Sequence, residues 1–535
     1  MKKVTLLTLV LIAFVSANAQ ITFQETIIGS GSFKRSSVVQ TNDSGFAILS
    51  SSSINACDSS DIYLVKTDSL GILLWTKKYG GAGNDYGTSI NKTSDGGFII
   101  AGNTNSFGAG GYDLYIIKTD SLGDTLWSKT YGGIGDDAGW STSVMQISNG
   151  NYIIVGSTKS YGQGNNDVYL IKTNSIGDTL WTRTYGDSLN NQGCSVKPTA
   201  NGGFIIVGTT YIPFVNPSLA YLIKTDSTGN LVWSQSYGNT ANGAMGYSVF
   251  AENDGGFVLS GQVSEALPGT FTPSFLLKTD SIGNFIWGHC YSPYYSSSSI
   301  WNFSGNTTKT NDGCFVIGGS NGFPDWAVVN PEDPFIAKVD SNGNQIWLKI
   351  FGQNTHNEFA DFVIPTSDRG FALIGRSEVP SFKYNLFLVK TDSAGNSGCN
   401  QPDSTFNVDF FTPDLFDNSL AIQSSGCILH SPPTQVTSGA GSASDYCMNI
   451  GISETNTPPS TLEISPNPAT SEIKITTTNS IMKEAHIYTM MGQCILQSTI
   501  NNRQSTIDIS SLPPGMYIAE VISEKGVIRK KFVKE

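Results

Sequence analysis

The chain has 535 residues, 57 of them glycine, 21 proline and 28 phenylalanine, with 14% charged residues and four histidines. Its 39% apolar content over a length of several ordinary domains excludes general disorder, and 43 acidic against 31 basic side chains disfavours nucleic acid as a partner. Four histidines leave little material for imidazole metal sites or Ser/His/Asp relays, so neither a metal nor a cofactor is expected.

In chain order, Lys2 and Lys3 precede an apolar run from Val4 to Val15, closed by the small residues Ala17-Asn18-Ala19. This reads as a cleaved signal peptide over 1–19, too short to span a bilayer. No later stretch is apolar enough for a membrane helix, so the mature chain is expected to carry no transmembrane segment. Eight cysteines (Cys57, Cys194, Cys290, Cys314, Cys399, Cys427, Cys447 and Cys494) are too sparse for a disulfide framework.

From Gln20 to Asn396 one phrase returns, as in Tyr115-Ile-Ile-Lys118-Thr-Asp120-Ser-Leu-Gly123-Asp-Thr-Leu-Trp127. Its lysine recurs at Lys66, Lys118, Lys172, Lys224, Lys278, Lys338 and Lys390, and its tryptophan follows nine residues later at Trp75, Trp127, Trp181, Trp233, Trp287 and Trp347. Seven units of 52–60 residues result. Each reads as four strands, which in the second unit are Thr88–Lys92, Phe98–Gly102, Asp113–Thr119 and Thr125–Tyr131, joined by Gly- and Asp-bearing hairpin turns. Leu114, Tyr115, Ile116 and Ile117 are apolar in succession, so both faces of the third strand must be covered. Four-stranded sheets stacked around an axis meet that demand, which predicts an all-β fold led by a seven-bladed β-propeller. The seventh unit lacks its fourth strand, while Phe23 lies as far before Phe46 as Trp75 lies before Phe98. The strand at 21–26 is therefore expected to complete the last blade and close the ring.

The repeated Lys, Asp, Gly and Trp read as architecture: Trp127 packs on the next blade, Asp120 and Gly123 shape the turn, and Lys118 pairs with a carboxylate. The phrase resembles the tryptophan-docking motif of quinoprotein dehydrogenase propellers, with one residue fewer between Asp and Gly, seven blades instead of eight and no adjacent Cys-Cys pair. Those departures leave a quinone cofactor unsupported.

Function is expected where the units differ, on the connections opposite the tight turns. Blades four to six carry the candidate ligand-binding residues Tyr211, Phe214, Tyr294, Tyr295, Trp301, Phe323, Asp325 and Trp326, whose rings and acceptors suit an extracellular glycan or protein. Catalysis finds little support. His356, Glu358, Asp136, Asp137 and Asp254 offer carboxylates and a base without a spacing that makes any two converge, and Cys194-Ser195 has no nameable base. The expected role is non-enzymatic binding; a polysaccharide hydrolase or lyase and a structural envelope protein are the alternatives.

Residues 397–451 are expected to form a small appendage, stapled from Cys399 to Cys427 or Cys447, followed by an exposed linker over 452–460. From 461 to 535, short strands between Pro and Gly turns predict a small β-sandwich. Its blocks, namely Pro466-Asn467-Pro468, Gly492, Leu512, Gly515, Tyr517 and Lys530-Lys531-Phe532-Val533, resemble in order the type A C-terminal sorting domain of the type IX secretion system. The resemblance implies passage across the outer membrane of a Gram-negative bacterium, with the secretion machinery as partner. Release or attachment at the cell surface follows.

Overall fold

The computed structural model describes residues 20–449 and 462–535 apart from short gaps (30, 54–58, 140, 212–217, 239–241, 266–272, 294–300, 323–332, 353–356, 380–382, stretches between 400 and 440, 478–480, 490–493, 501 and 524–525). The expected signal peptide at 1–19 and linker at 452–460 lie outside the described residues. The chain divides into two units, Met1–Gly451 and Ile452–Glu535.

The first unit is a seven-bladed β-propeller. Every blade is an antiparallel sheet with strands lettered a to d outward, which in six of the seven follow one another in sequence. In blade 2 these are Asp85–Lys92, Phe98–Thr104, Asp113–Thr119 and Thr125–Gly132. Strand a of each blade packs against strand a of both neighbours all the way round, so the seven a strands encircle the axis. Blade 7 takes its strand d from the other end of the chain: Thr22–Gly29 pairs with Lys383–Thr391, with Phe23 opposite Lys390 and Ile27 opposite Leu386. The ring closes as the missing fourth strand of the seventh unit predicts.

The apolar run of strand c explains the stacking. Leu114 and Ile116 enter one core with Tyr152, Ile154, Tyr169 and Ile171 of blade 3. Tyr115 and Ile117 enter another with Leu49, Ile62 and Leu64 of blade 1. All four are fully buried, and each contributes roughly 1.5–3 kcal/mol of transfer free energy before ordering costs are subtracted.

The repeated phrase staples neighbouring blades together. Asp120 Oδ1 accepts from the amides of Leu122 and Asp124, and Gly123 takes a φ of 79° in the turn. The Trp75 ring of blade 1 lies against that glycine, so closely that a Cβ there would sit 2.8 Å from it. The fully buried Tyr131 donates its hydroxyl to Gly177 O of the next turn at 2.6 Å, and Tyr79, Tyr185, Tyr237 and Tyr291 do the same. Lys118 pairs with Asp95 of the a–b turn at 2.8 Å. Equivalent pairs recur in blades 1, 5, 6 and 7. Where the turn carries Asn149 or Asn201 instead, the cation turns to an aromatic face: Lys172 lies 5.8 Å from the rings of Trp181 and Phe204, and Lys224 5.2 Å from Phe257.

Residues 403–449, expected as a compact appendage, are instead laid out as a belt. Seven short strands add a fifth, outermost strand to each blade in turn. Asp403–Ser404 joins blade 6, Phe406–Phe410 blade 5, Asp414–Asp417 blade 4, Ile422–Ser424 blade 3, Ile428–His430 blade 2, Gln435–Ser438 blade 1 and Gly441–Asn449 blade 7. The physical reason is that strand d leaves an unpaired edge on every blade, and a segment of this length can satisfy all seven.

The second unit is the expected small sandwich. A three-stranded sheet (Leu462–Ser465, Glu472–Thr477, Gln504–Asp508) and a four-stranded one (Met482–Thr489, Cys494–Thr499, Gly515–Ser523, Gly526–Lys534) share one core. The anticipated sorting residues hold its closing edge. Asn467 Oδ1, between Pro466 and Pro468, accepts from Val533 N at 2.8 Å. Tyr517 stacks on Phe532 and donates to Pro513 O, while Leu512 is buried. Lys530 and Lys531 pair with Ala519 and Ile518 in the hairpin that begins at Gly515; Gly492 lies outside the described residues.

Candidate functional site

The tight a–b and c–d turns define one face of the ring, and the d–a and b–c connections the other. On the side of the variable connections the innermost strand departs from regular pairing. The register of strands a and b slips between Gly87 and Ser89, Gly193 and Ser195, Gly246 and Ser248, Ser304 and Thr307, and Ala360 and Phe362. In blade 1 the segment Lys34–Ser36 separates the two halves of strand a. Six of seven blades, among the described residues, thus insert an extra residue at one level of the innermost strand. Such bulges re-aim a side chain and tend to mark functional positions. Here they bring Lys34, Arg35, Thr88, Cys194, Tyr247 and Asp361 to a common level around the axis.

Bulges are stitched to their neighbours. Ser36 donates from both N and Oγ to Asp361 Oδ2, at 3.0 and 2.7 Å, joining blades 1 and 7. Thr88 Oγ1 donates to Thr142 O of blade 3 at 2.7 Å. Arg376 grips Asp361 through Nε and Nη2, both at 3.1 Å, and lies over the rings of Phe359 and Tyr384. That bidentate pair neutralises Arg376.

Arg35 is different. It is exposed, and among the described residues no carboxylate pairs with it. Its guanidinium favours the ionised forms of Cys194 on blade 4 and Tyr247 on blade 5, so its field reaches blades on the far side of the ring. Burial dominates both groups and pushes each up to about 12; Cys194 is therefore a neutral thiol, not a nucleophile. Tyr247 also meets Gln262 Oε1 at 3.3 Å. Beside Arg35, Lys34 lies 4.7 Å from the Tyr86 ring centroid and donates to Ser60 Oγ, and Tyr86 stacks on Tyr112. Two cations and two stacked, half-buried phenols thus lie on blades 1 and 2.

Of the residues anticipated from sequence, Tyr211 belongs to this neighbourhood. It ends strand b of blade 4 opposite Asn190, and burial together with Cys194 raises its phenol. Trp301 opens strand a of blade 6. Phe214, Tyr294, Tyr295, Phe323, Asp325, Trp326 and His356 lie outside the described residues. Asp136, Asp137 and Asp254 do not converge, whereas the buried Glu358 lies near Asp333. Asp254 pairs with Lys278 on the tight-turn face, Asp136 pairs with Lys159 on the other, and Asp137 is fully buried and accepts from Gly133, Ser160, Lys159 and Thr158. Sequence reading missed Lys34, Arg35, Tyr86 and Tyr112, although a Gly-x-Ser triplet marks the bulge at Gly87-Thr88-Ser89, Gly193-Cys194-Ser195 and Gly246-Tyr247-Ser248.

Comparison with known proteins separates the two units. A regulatory protein of Caulobacter vibrioides, FlaEY, is 28% identical over 222 residues, 35% of this chain and 23% of its own length. The chain spans under a quarter of that relative. Among solved structures, the polysaccharide lyase Uly1 is 9% identical over 69% of this chain and 99% of its own, with a TM-score of 0.44. The arabinofuranosidase Arb93A of Fusarium graminearum is 9% identical over 70% and 98%, with a TM-score of 0.38. PorZ, a surface component of the type IX secretion system of Porphyromonas gingivalis, is 9% identical over 96% and 100%, with a TM-score of 0.28. Residues 463–535 match the family model described as the secretion system C-terminal sorting domain. The C-terminal unit is that sorting domain, and the chain is accordingly an exported protein, released or held at the outer cell surface.

Proposed function

We propose that the propeller is a non-enzymatic binding module for an extracellular glycan bearing carboxylate or sulfate groups, seated where the strand-a bulges surround the axis. The observation that carries this reading is Arg35, an exposed guanidinium without a carboxylate partner among the described residues, next in sequence to Lys34, which lies over Tyr86 of the Tyr86–Tyr112 stack. A guanidinium fork matches a carboxylate or sulfate in two hydrogen bonds, and phenol faces cover the apolar side of a sugar ring. With a net charge of −12, the chain repels polyanions at long range, so binding depends on this local pair of cations and weakens with salt.

The test is calorimetric titration of the secreted protein with neutral, uronate-bearing and sulfated oligosaccharides. Arg35→Ala is expected to lose at least tenfold in affinity for the acidic ligands, a loss of about 1.4 kcal/mol. Equal affinity of wild type and Arg35→Ala for every acidic ligand would sink the proposal. Chain shortening of the bound polysaccharide would replace it with the hydrolase or lyase reading.

A further inference from the structure

The belt begins and ends at the same blade. It leaves blade 7 after the turn Asp392–Asn396, passes blades 6 to 1, and returns as Gly441–Asn449 on the outside of Thr22–Gly29. Its first and last residues meet around Gln24. Gln24 Nε2 donates to Ser397 Oγ at 3.0 Å, and the amide of Cys399 is directed at the same hydroxyl. On the other side of Gln24, the strand register sets Cys447 directly opposite. Directly opposed residues in an antiparallel pair have Cα atoms roughly 4.5–5.5 Å apart, so Gln24 ties the two cysteine positions to one place in the fold.

Cys399 is disulfide-bonded. We propose that its partner is Cys447 and that the bond turns the belt into a covalent hoop around the propeller. The other belt cysteine is badly placed: Cys427 directly precedes Ile428, whose backbone pairs with Gly132 of blade 2, two blades round from blade 7. Cys57 lies outside the described residues. A disulfide needs Cα atoms within about 7 Å, and the Gln24 register brings Cys447 to the residue that holds Ser397, two positions before Cys399. Cys194, Cys290 and Cys314 are free thiols.

In forming, both thiols lose their protons, and the two electrons pass to the disulfide of an exported thiol oxidase, which is released as a dithiol. The linkage encloses the closing strand. Thr22–Gly29 lies between strand c of blade 7 and the returning belt, and Cys399–Cys447 ties the chain on its inner side to the chain on its outer side. The strand that shuts the ring therefore cannot peel away as an edge without taking the belt with it, and all seven outer edges stay covered while it is held.

Non-reducing peptide mapping of the full secreted chain tests the pairing directly. A Cys399–Cys447 linked peptide is expected, and a linkage of Cys399 to Cys57, Cys427 or Cys494 overturns the proposal. Thermal melts test the hoop. A closed loop of this length predicts a fall in midpoint of roughly 4–5 °C on its loss. Cys399→Ser and Cys447→Ser should each show this fall, the double variant should be no worse than either single one, and Cys427→Ser should leave the midpoint unchanged. Additive losses for Cys399→Ser and Cys447→Ser would refute the shared bond. If the serine variants fail to fold, the peptide map of the native chain still decides.

Discussion

Replacing Tyr237 with phenylalanine isolates one staple between two blades. The ring is fully buried in the core shared with Leu222, Phe257 and Leu277, and Phe keeps its volume there. What disappears is the hydroxyl, which donates to Gly283 O of the following blade at 2.7 Å. A buried carbonyl then loses its donor, and the cost of such an orphaned group is about 1–3 kcal/mol, above the net value of an ordinary hydrogen bond. In a unit of about 430 residues this corresponds to a thermal shift of only ~1–3 °C, so urea denaturation with the slope held constant is the better assay. The phenol is raised above its usual range by burial and by Asp280. It therefore keeps its proton in mild alkali, and the penalty should be equal at pH 7 and pH 9.5. A midpoint within the scatter of surface substitutions, about 0.5 kcal/mol, would refute the staple as a source of stability. A penalty that vanishes at pH 9.5 would refute the burial argument.

The docking glycines separate backbone strain from packing. Gly123 and Gly150 share a positive φ, 79° and 82°, but an added Cβ meets Trp75 only at Gly123, with nothing within 4 Å at Gly150. Both alanine variants should lose about 1 kcal/mol to strain, and Gly123→Ala about 1–3 kcal/mol more through overpacking; equal losses by denaturation would show that the tryptophan contact is slack. The pH dependence has two limbs. Burial opposes ionisation of Asp95, yet hydrogen bonds from Lys118, Thr93 and Gly97 with the Lys118 charge hold it down at about 2. That stability is present above the unfolded carboxylate range near 4 and is lost as pH falls towards 2. Asp333 behaves oppositely: burial, then the charge of Glu358, lift it to about 7. Its contribution is complete below pH 4 and is lost as pH rises through 7. Thermal midpoints should therefore peak in mild acid, and Asp333→Asn should flatten the limb between pH 4 and 7; a wild-type midpoint that climbs steadily to pH 8 would contradict the Asp333 shift.

The ring was legible because each blade repeats the same solution to the same physical problem. Strand c, apolar at Leu114, Tyr115, Ile116 and Ile117, demands cover on both faces, and the missing strand d of blade 7 demands a partner from Thr22–Gly29. Neither statement needs a long-range contact to be known. The belt was illegible for the converse reason. Its strands have two to nine residues and acquire meaning only from the edges they cover. Yet it has a faint period: Val408, Leu415, Gln423, Leu429 and Val436 stand opposite Tyr291, Tyr237, Tyr185, Tyr131 and Tyr79. Ala443 stands opposite Ile27. The steps of six to eight residues are about the extended length needed to pass from one outer edge to the next. The bulges were hidden because a register slip has no composition, and the Gly-x-Ser triplets that mark three of them read as ordinary strand.

The two faces of the ring use charge in opposite ways, and the proposed site rests on that contrast. On the tight-turn side five blades repeat a Lys–Asp pair, with Lys66, Lys118 and Lys390 almost fully buried beside their partners. Charge there is consumed by the architecture, and Asn149 and Asn201 redirect the cation to a ring without breaking the blade. On the bulge side the equivalent positions hold arginine, threonine, thiol, phenol and carboxylate, a set that no packing rule imposes. Asp361 is absorbed by Arg376 and Ser36, Cys194 and Tyr247 are kept neutral by burial, and Thr88 is tied to blade 3. Arg35 is left without a carboxylate partner among the described residues. Pairing of exposed charges adds little to stability, so the proposed anion site is judged by ligand affinity and not by the stability of the ring.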